Sequence, residues 1–462
     1  MFGILMVVLG VILVGYLVVK KYYAPWSLFL VGVLLIFIAM CVSPDPLLKK
    51  STNNFVFDIF EWFTNISKST LGGLGLQIML ISGFAEYLDS IGATKALVRV
   101  CSKPLSYVKS PYLLLGLAYV AGQIMNIFIP SAVGLGVLLM LTIYPLLMSV
   151  GVSKLSAAAI IATASCLDLG PASANSILGS KLSDLDVMTW FIEGQIPVAI
   201  VTMIAICFSH MYIQRWFDKR DLASGRLTEA DFGLQAIVKS DKAVAKAPDA
   251  PWFYALLPVM PIALLFVFSK FGIVGVRLSI QTCIVTCMFT AFIVHLLTNR
   301  NFKECVNGTK TFFTGMGKVF GTTVALIICA SVFAEGLKLT GGIDTIIDAA
   351  ASMESAGGVL MLFVMCTIMI VAALVTGSGN AAFFAFSGLL PSAAKAVGWE
   401  TVVMACPVQL TAGIARSMSP IAGVMIAVSS IANLSPFEVA RRTIPVMIIA
   451  TITTVGSSLI FL

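Results

Sequence analysis

The sequence predicts an all-α polytopic membrane protein whose two halves repeat one arrangement of helices with inverted topology. Hydrophobic residues make up 59% of the 462 residues and charged residues only 11%, which excludes an ordinary soluble domain. Apolar runs of about twenty residues recur along the chain and suit helices that span a bilayer. The net charge of +7 is spread over the loops, so it indicates membrane orientation and not nucleic-acid binding.

The first half, residues 1–213, is predicted from the order of its apolar runs. Spans are expected at about 3–19, 24–43, 71–90 and 190–212, with a basic interfacial helix at 95–109. Two short apolar arms, 111–127 and 133–149, are each marginal for crossing alone and predict a re-entrant hairpin over 111–149. The run 153–181 is interrupted by Asp168-Leu169-Gly170-Pro171-Ala172-Ser173 and predicts a broken helix.

The second half, residues 252–462, repeats this order after a charged linker at 214–251. Spans are expected at 252–269, 276–297, 319–337 and 443–461, with a weakly polar stretch at 342–355. A second hairpin is predicted over 357–396 and a second broken helix over 400–432. The stretch from Pro44 to Lys68 is expected to be a loop of mixed charge.

Landmark residues support the duplication. Phe84-Ala85-Glu86 recurs as Phe333-Ala334-Glu335, an offset of 333 − 84 = 249, and Pro171 and Pro420 differ by 420 − 171 = 249. If each hairpin re-enters, most basic residues, including those of the linker and the pair Arg441-Arg442, fall on one side. That side is cytoplasmic by the positive-inside rule. The two hairpins then enter from opposite sides, which makes the repeats inverted.

A polar stretch inside an apolar run, Val375-Thr376-Gly377-Ser378-Gly379-Asn380, predicts the tip of the second hairpin. An open backbone at bilayer depth costs several kcal/mol per unpaired group unless protein or a polar cavity surrounds it. Glycines there let the chain turn and bring N–H groups close to a ligand. A packing contact between small residues is the alternative for this stretch taken alone.

The two tips and the two helix breaks are expected to converge, because inverted repeats of secondary transporters place the substrate site between broken elements. Helix N-termini with neutral hydroxyl and amide groups suit carboxylates, whereas helix C-termini and unwound carbonyls suit a cation. The predicted substrate ligands are Ser131, Ala132, Thr376, Gly377, Ser378, Gly379, Asn380, Arg416, Ser417 and Ser419. The predicted ligands of a coupling ion are Asp168, Ser173 and Asn175.

Arg416 and Asp168 are the formal charges nearest the middle of their predicted spans. A charge at that depth costs about 2.5–3.5 kcal/mol on insertion scales, so each should face a cavity and have a partner. Arg416 either binds a substrate carboxylate or pairs with Asp168 or a backbone carbonyl. Asp168 either carries the coupling ion, H⁺ or Na⁺, or has a structural role. No other cofactor is predicted, and Na⁺ near the hairpin tips is one alternative.

Short motifs along nearly the whole chain resemble those of a known family. They are Lys103-Pro104-Leu105 with Ser110-Pro111-Tyr112-Leu113-Leu114, Gly134-Leu135-Gly136-Val137-Leu138-Leu139-Met140, Thr376-Gly377-Ser378-Gly379-Asn380-Ala381, Arg416 with Ser419-Pro420, and Ser435-Pro436-Phe437-Glu438-Val439. Together they resemble the DcuC-type anaerobic C4-dicarboxylate transporter family, within the wider ion transporter superfamily.

The resemblance implies transport of succinate, fumarate and malate across a bacterial inner membrane, by cation-coupled symport or by exchange or efflux. The superfamily implies a homodimer with an elevator-type fold, in which hairpins and broken helices move against a scaffold. The partners would then be a small dicarboxylate and the lipid bilayer.

Other functions remain open at this point. A carrier of another organic anion, such as citrate or an acidic amino acid, fits the same residues. A channel is disfavoured by the two dead-end hairpins. An enzyme is disfavoured because no acid–base or nucleophile set lies outside the predicted centre.

Overall fold

The structure, a computed structural model, describes residues 2–20, 22–42, 47–48, 51–233, 250–272, 278–341 and 357–462. All regular elements in these ranges are helical, apart from one isolated bridge between Ser153 and Phe232. Within the described ranges, nine helices are long and apolar enough to cross a membrane. The predicted all-α polytopic class is confirmed for this part of the chain.

The helices are numbered in chain order. Those of the first half are α1 (Phe2–Val19), α2 (Ala24–Val42), α3 (Phe55–Ser90), α4 (Ala93–Ser102), α5 (Pro111–Phe128), α6 (Ala132–Ser149), α7 (Lys154–Thr163), α8 (Ala174–Leu182) and α9 (Val187–Ala223). Those of the second half are α10 (Met260–Val267), α11 (Ile280–Asn299), α12 (Phe302–Leu339), α13 (Gly357–Thr376), α14 (Gly379–Phe386), α15 (Leu390–Ala396), α16 (Thr401–Arg416), α17 (Gly423–Ala432) and α18 (Pro436–Phe461).

Three helices, α3, α9 and α12, are longer than the predicted spans. α3 begins at Phe55 because the Asn54 side chain accepts hydrogen bonds from the N–H groups of Val56 and Phe57 and so caps the helix. The predicted loop from Pro44 to Lys68 was therefore wrong from Phe55 onward, where the chain is helical. Each long helix contains one π-helical turn, and the turns lie at Leu71–Gly75, Trp190–Gln195 and Phe320–Val324.

α9 continues to Ala223, so the predicted start of the linker at residue 214 was wrong. The polar residues Asp218 and Asp221, which suggested a solvated linker, are buried against other helices. Residues 234–249 of the predicted linker and the predicted stretch 342–355 lie outside the described residues.

The predicted span at 252–269 is not one continuous helix. A 3₁₀ turn at Trp252–Leu256 precedes the short helix α10. Pro258 and Pro261 each remove a backbone N–H donor, and this interrupts a continuous helix.

Two helix pairs lie where the hairpins were predicted. α5 and α6 contact each other and are joined through Ile129-Pro130-Ser131, and α13 and α14 are joined through Gly377-Ser378. The second arm of the second pair continues through a 3₁₀ turn at Ser387–Leu389 into α15. By length and composition α5, α6 and α13 could each cross a membrane, so the re-entrant path stays a prediction.

Both predicted helix interruptions are confirmed. α7 ends at Thr163 and α8 begins at Ala174, and α16 ends at Arg416 and α17 begins at Gly423. A proline lies in each gap, Pro171 and Pro420, where it cannot donate the hydrogen bond that would continue the helix.

The helices form two packed groups. In the scaffold group, α2 and α3 pack on α12, and α11 packs on α3. In the hairpin group, α9 packs on α5 and α18, α6 packs on α17, and α13 and α8 pack on α16. α14 of the hairpin group also packs on α12, which joins the two groups. Both helix breaks lie in the hairpin group.

Candidate functional site

The first helix break has a strained backbone that two glutamine side chains hold in place. Asp168 has φ +49° and Gly170 has φ +105°, so the chain enters the left-handed region at both positions. The Asp168 carbonyl oxygen accepts a hydrogen bond from Gln409 Nε2 at 3.3 Å. The Gly170 N–H donates to Gln195 Oε1 at 3.2 Å. These bonds replace helical ones that the break removes.

The same glutamines bind each other and connect the two halves of the chain. Gln195 Nε2 donates to Gln409 Oε1 at 2.6 Å and to Ser176 Oγ at 2.9 Å, and both glutamines are fully buried. On the other side of the break, Gln123 Oε1 accepts from the N–H of Leu167 at 3.4 Å. The sequence analysis missed all three glutamines. The available signal was an amide side chain inside an apolar helix.

Asn175, at the start of α8, connects the first break to the second hairpin tip. Its Nδ2 donates to Asp168 Oδ2 at 2.8 Å and to Asn380 Oδ1 at 3.1 Å. Asn175 is fully buried, and its own Oδ1 has no hydrogen-bond partner among the described residues. Oxygens from one carboxylate and two amides therefore lie together, and hard cations prefer such ligands.

Arg416 ends α16 and reaches across to the first break. Its Nη2 donates to the Ser165 carbonyl oxygen at 2.6 Å and to Ser165 Oγ at 3.3 Å. Of the alternatives left open by the sequence, the carbonyl contact is present. Asp168 and Arg416 form no ion pair in the described structure, because no guanidinium nitrogen lies within 4.0 Å of a carboxylate oxygen. The side chain is half-buried, and its buried Nε has no partner among the described residues.

The second hairpin tip is held in a single shape by its own side chains. Thr376 Oγ1 donates to the Ala372 carbonyl oxygen at 2.8 Å and accepts from the Ser378 N–H at 3.2 Å. Ser378 Oγ caps α14 by accepting from the Ala381 N–H at 3.2 Å. Gly377 has φ +67°, and a Cβ there would lie 2.8 Å from the Ile421 carbonyl oxygen in the second break. The tip therefore requires glycine and lies directly against that break.

The first hairpin tip is more open. Ser131 caps α6 by accepting from the Gly134 N–H at 3.1 Å and is exposed, and Ala132 is half-buried. A Cβ on Gly423 would lie 3.1 Å from Val133, so this tip borders the start of α17. No hydrogen bond joins Ser131 to the other predicted ligands in the described structure.

The hydroxyl groups of three predicted ligands already have backbone partners. Ser417 Oγ donates to the Gly413 carbonyl oxygen at 3.3 Å, and Ser419 Oγ donates to that of Leu374 at 2.8 Å. Ser173 Oγ accepts from the Ser176 N–H and caps α8. All three serines are buried, and we expect them to shape the breaks.

A buried charge cluster lies apart from the two breaks, at the end of α9 and the start of α18. Arg442 is fully buried and binds Asp218 Oδ1 at 2.5 Å, Asp221 Oδ2 at 2.8 Å and Ser156 Oγ at 2.8 Å. Arg442 was counted from the sequence only among the basic residues of the cytoplasmic side, whereas two carboxylates of another helix neutralise it inside the protein. Arg441 is partly exposed and binds Asp221 at 3.0 Å.

Open backbone and polar side chains, buried among long apolar helices, are typical of a multi-pass membrane transporter, in which interrupted helices border substrate or ion sites. The chain belongs to the DcuC family. The family model, described as "C4-dicarboxylate anaerobic carrier", matches residues 2–461. The family resemblance drawn from the sequence motifs is confirmed.

Relatives match over nearly the whole chain. The anaerobic C4-dicarboxylate transporter DcuC of Escherichia coli strain K12 is 35% identical over 445 residues, which cover 96% of this chain and 93% of that protein. The probable anaerobic C4-dicarboxylate transporter DcuC of Vibrio cholerae serotype O1 is 34% identical over 439 residues, which cover 94% and 93%. The predictions of a non-enzymatic transporter and a multi-pass protein of the bacterial inner membrane are thereby confirmed.

Two solved transporters share the fold. The Alcanivorax borkumensis YdaH transporter aligns with a TM-score of 0.61 at 15% identity, covering 95% of this chain and 97% of that one. Neisseria gonorrhoeae MtrF aligns with a TM-score of 0.61 at 13% identity, covering 94% of each chain. At such low identity the likeness concerns the fold alone.

Proposed function

We propose that this protein is a secondary active transporter of C4-dicarboxylates such as succinate, fumarate and malate. The observation that carries the proposal is the half-buried Arg416 guanidinium, which makes no ion pair within 4.0 Å in the described structure and has a buried Nε without an acceptor, so Asp168 acts on it only from a longer distance. A charge at such a depth is costly without a counter-charge. A substrate carboxylate in direct contact with the guanidinium would supply it more fully than the more distant Asp168 does. The names of the relatives supply the substrate class.

The second carboxylate would bind at the second hairpin tip. α14 begins at Gly379, and the first N–H groups of a helix lack partners within the helix. The positive end of the helix dipole favours an anion there. Gly379 also approaches α16 closely, because a Cβ on it would lie 2.6 Å from the Ala412 carbonyl oxygen. The tip therefore packs on the helix that ends at Arg416, and a short diacid would bridge the two.

Counterflow in proteoliposomes tests this function. Vesicles loaded with unlabelled succinate should accumulate labelled succinate transiently, because a carrier exchanges substrate across the membrane whereas a channel does not. Fumarate and malate in the lumen should support the same exchange. Exchange supported only by citrate or by aspartate would change the proposed substrate to another organic anion. The absence of trans-stimulation with every one of these substrates would contradict a carrier.

Coupling to H⁺ or Na⁺ is proposed to involve Asp168, Asn175 and Asn380. Support comes from the Asn175 amide, whose Nδ2 donates to oxygens from two opposing elements while its own buried Oδ1 has no partner in the described chain. A cation bound by these three side chains would connect the first break to the second tip. Cation binding would then depend on the position of the tip.

Asp168→Asn should abolish accumulation driven by an ion gradient while leaving exchange active. The substitution keeps the shape of the side chain but removes the charge that a cation needs. Uptake under an imposed proton or sodium gradient and counterflow without a gradient measure the two activities. Asp184→Asn is the matched control, because Asp184 has a similar backbone (φ +53°) but is exposed. Undiminished concentrative uptake by Asp168→Asn would contradict the coupling role.

We further propose that the protein has inverted repeats, works by an elevator mechanism and forms the homodimer that the resemblance implies. Gln195 and Thr443 support the repeat, since each immediately precedes an Ile-Pro pair and bonds the backbone of its own half's helix break. Two cavities, of about 660 and 310 Å³, are lined by both helix groups, which suits sliding of one group past the other.

A disulfide between the two groups should stop transport without stopping substrate binding. A Cβ on Gly388 of the second hairpin would lie 3.2 Å from the Ala334 Cβ of α12, close to the separation of about 3.5–4.5 Å in disulfides. Gly388→Cys with Ala334→Cys, in a cysteine-free background, should therefore crosslink and block counterflow until a reductant is added. Binding titrations with succinate should be unaffected.

The control crosslink joins two positions within the hairpin group. A Cβ on Gly194 would lie 3.4 Å from Val402 Cγ2, so Gly194→Cys with Val402→Cys tests the effect of a disulfide that does not join the groups. Transport should survive this crosslink. Full transport with the Gly388–Ala334 pair crosslinked would favour local gating over the elevator.

A further inference from the structure

The last turns of α9 expose cations and aromatic rings together. We call this surface the α9 basic patch, and it consists of Tyr212, Arg215, Trp216, Lys219 and Arg220, all exposed. These residues are neighbours on the helix surface because positions three and four apart share a face. None of the three cations has an ion-pair partner in the described part of the chain.

Along the face of α9 that leads to the patch, the exposed side chains change from apolar to aromatic to cationic, which is the order of the layers of a bilayer. Its exposed residues, spaced by four, are Ile200, Ile204, Phe208, Tyr212, Trp216 and Arg220. Aliphatic and phenyl side chains suit the hydrocarbon, tyrosine and tryptophan suit the interface, and arginine suits the headgroup level. Phe208 and Arg220 are about 18 Å apart along the helix, close to the thickness of half a hydrocarbon core, about 15 Å.

Aromatic rings orient the two arginines of the patch without neutralising them. The Arg220 guanidinium lies 5.0 Å from the centre of the Trp216 ring, and that of Arg215 lies 5.9 Å from the centre of the Tyr112 ring at the start of α5. The acids on the same turns, Asp218 and Asp221, are buried on the opposite side and bound to Arg441 and Arg442. The patch therefore presents its positive charge outward.

We propose that the α9 basic patch binds the headgroup phosphate of an anionic phospholipid in the leaflet at this end of α9. Guanidinium groups bind phosphate oxygens through paired, charge-assisted hydrogen bonds, and Tyr212 and Trp216 contact the glycerol and upper acyl region. The apolar-to-aromatic-to-cationic order selects a lipid over a second protein chain. Because α9 belongs to the hairpin group, the lipid is bound to the part of the protein proposed to move.

Native mass spectrometry of the full-length protein with equal amounts of phosphatidylglycerol and phosphatidylcholine tests the proposal. The wild type should carry an excess of phosphatidylglycerol, and Arg215→Gln/Lys219→Gln/Arg220→Gln should lose most of it. Arg300→Gln/Lys303→Gln/Lys310→Gln removes the same charge from exposed residues at the end of α11 and the start of α12 and should retain the excess. Equal retention by the patch variant and the wild type would overturn the proposal.

Two further measurements separate a lipid from a free anion and from misfolding. Excess inorganic phosphate should leave bound phosphatidylglycerol in place, and its displacement would assign the patch to a soluble phosphate ion. Brominated phosphatidylglycerol should quench the fluorescence of the folded wild type more than brominated phosphatidylcholine does, and Trp216→Phe should remove that difference. Equal quenching by the two lipids would also contradict the proposal. Neither readout depends on transport, so the result is independent of the proposed substrate.

Discussion

Arg416→Lys is expected to weaken succinate binding to the purified protein by about 1.5–3 kcal/mol, the usual worth of a charged hydrogen bond. This corresponds to roughly a 10- to 160-fold rise in Kd. The Ser165 carbonyl oxygen anchors one guanidinium nitrogen at 2.6 Å, and the planar fork then presents its other nitrogens to a carboxylate. A lysine ammonium cannot keep this anchor and copy the fork. Isothermal titration of the folded variant measures the loss.

Two comparisons make this result specific to a carboxylate contact. Arg226→Lys, at an exposed position after α9, should leave the Kd unchanged. A monocarboxylate that uses only the hairpin tip should lose much less affinity than succinate in Arg416→Lys. A purely structural arginine predicts poor folding and an equal loss for every ligand. Unchanged succinate affinity in well-folded Arg416→Lys protein would refute the contact.

Arg442→Met should destabilise the folded protein by about 3–5 kcal/mol, because removing one partner of a buried ion pair leaves uncompensated charges. Asp218 and Asp221 are both almost fully buried, and the guanidinium of Arg442 binds each of them. The cluster also includes Ser153 and Ser156 of the first broken helix, which bind Asp218 at 2.6 and 2.9 Å. Denaturant titration in detergent, followed by near-ultraviolet circular dichroism, measures the change in the free energy of unfolding.

Arg441→Met is the matched control, since the neighbouring side chain is 33% exposed and binds one of the same carboxylates. We expect a loss of about 1 kcal/mol or less, as for a partly solvated pair. Combining Arg442→Met with Asp218→Asn and Asp221→Asn should recover part of the stability, because the unpaired charges are then removed. An Arg442→Met protein as stable as Arg441→Met would show that the buried pairs contribute little.

The helical class, both helix breaks and the position of the second tip could be predicted from the sequence because their causes are local. An apolar run long enough to span a bilayer forms a helix wherever it is inserted. Pro171 and Pro420 remove hydrogen-bond donors in any context. Gly377 lies in a polar interruption and adopts a left-handed backbone that glycine tolerates. Arg416 was identifiable because a charge within an apolar run needs a partner.

Helix lengths were harder to predict because polar helix ends resemble loops. The last turns of α9 carry Asp218 and Asp221, which in the sequence are typical of a solvated linker. The structure shows that both are paired with Arg442. Burial of a charged side chain depends on the residue that neutralises it. That residue lies on α18, more than two hundred positions away.

The polar contacts at the centre were decided by the tertiary structure alone. Gln195 meets Gln409 across 214 positions, and Asn175 meets Asn380 across 205. A single sequence shows which side chains can donate or accept a hydrogen bond but carries no distance between segments. By itself it determined that the chain breaks its helices at two sites and places polar groups there. Only the packing of α9, α14 and α16 decided which of those groups bind each other, because buried donors and acceptors pair with what the fold brings within about 3 Å.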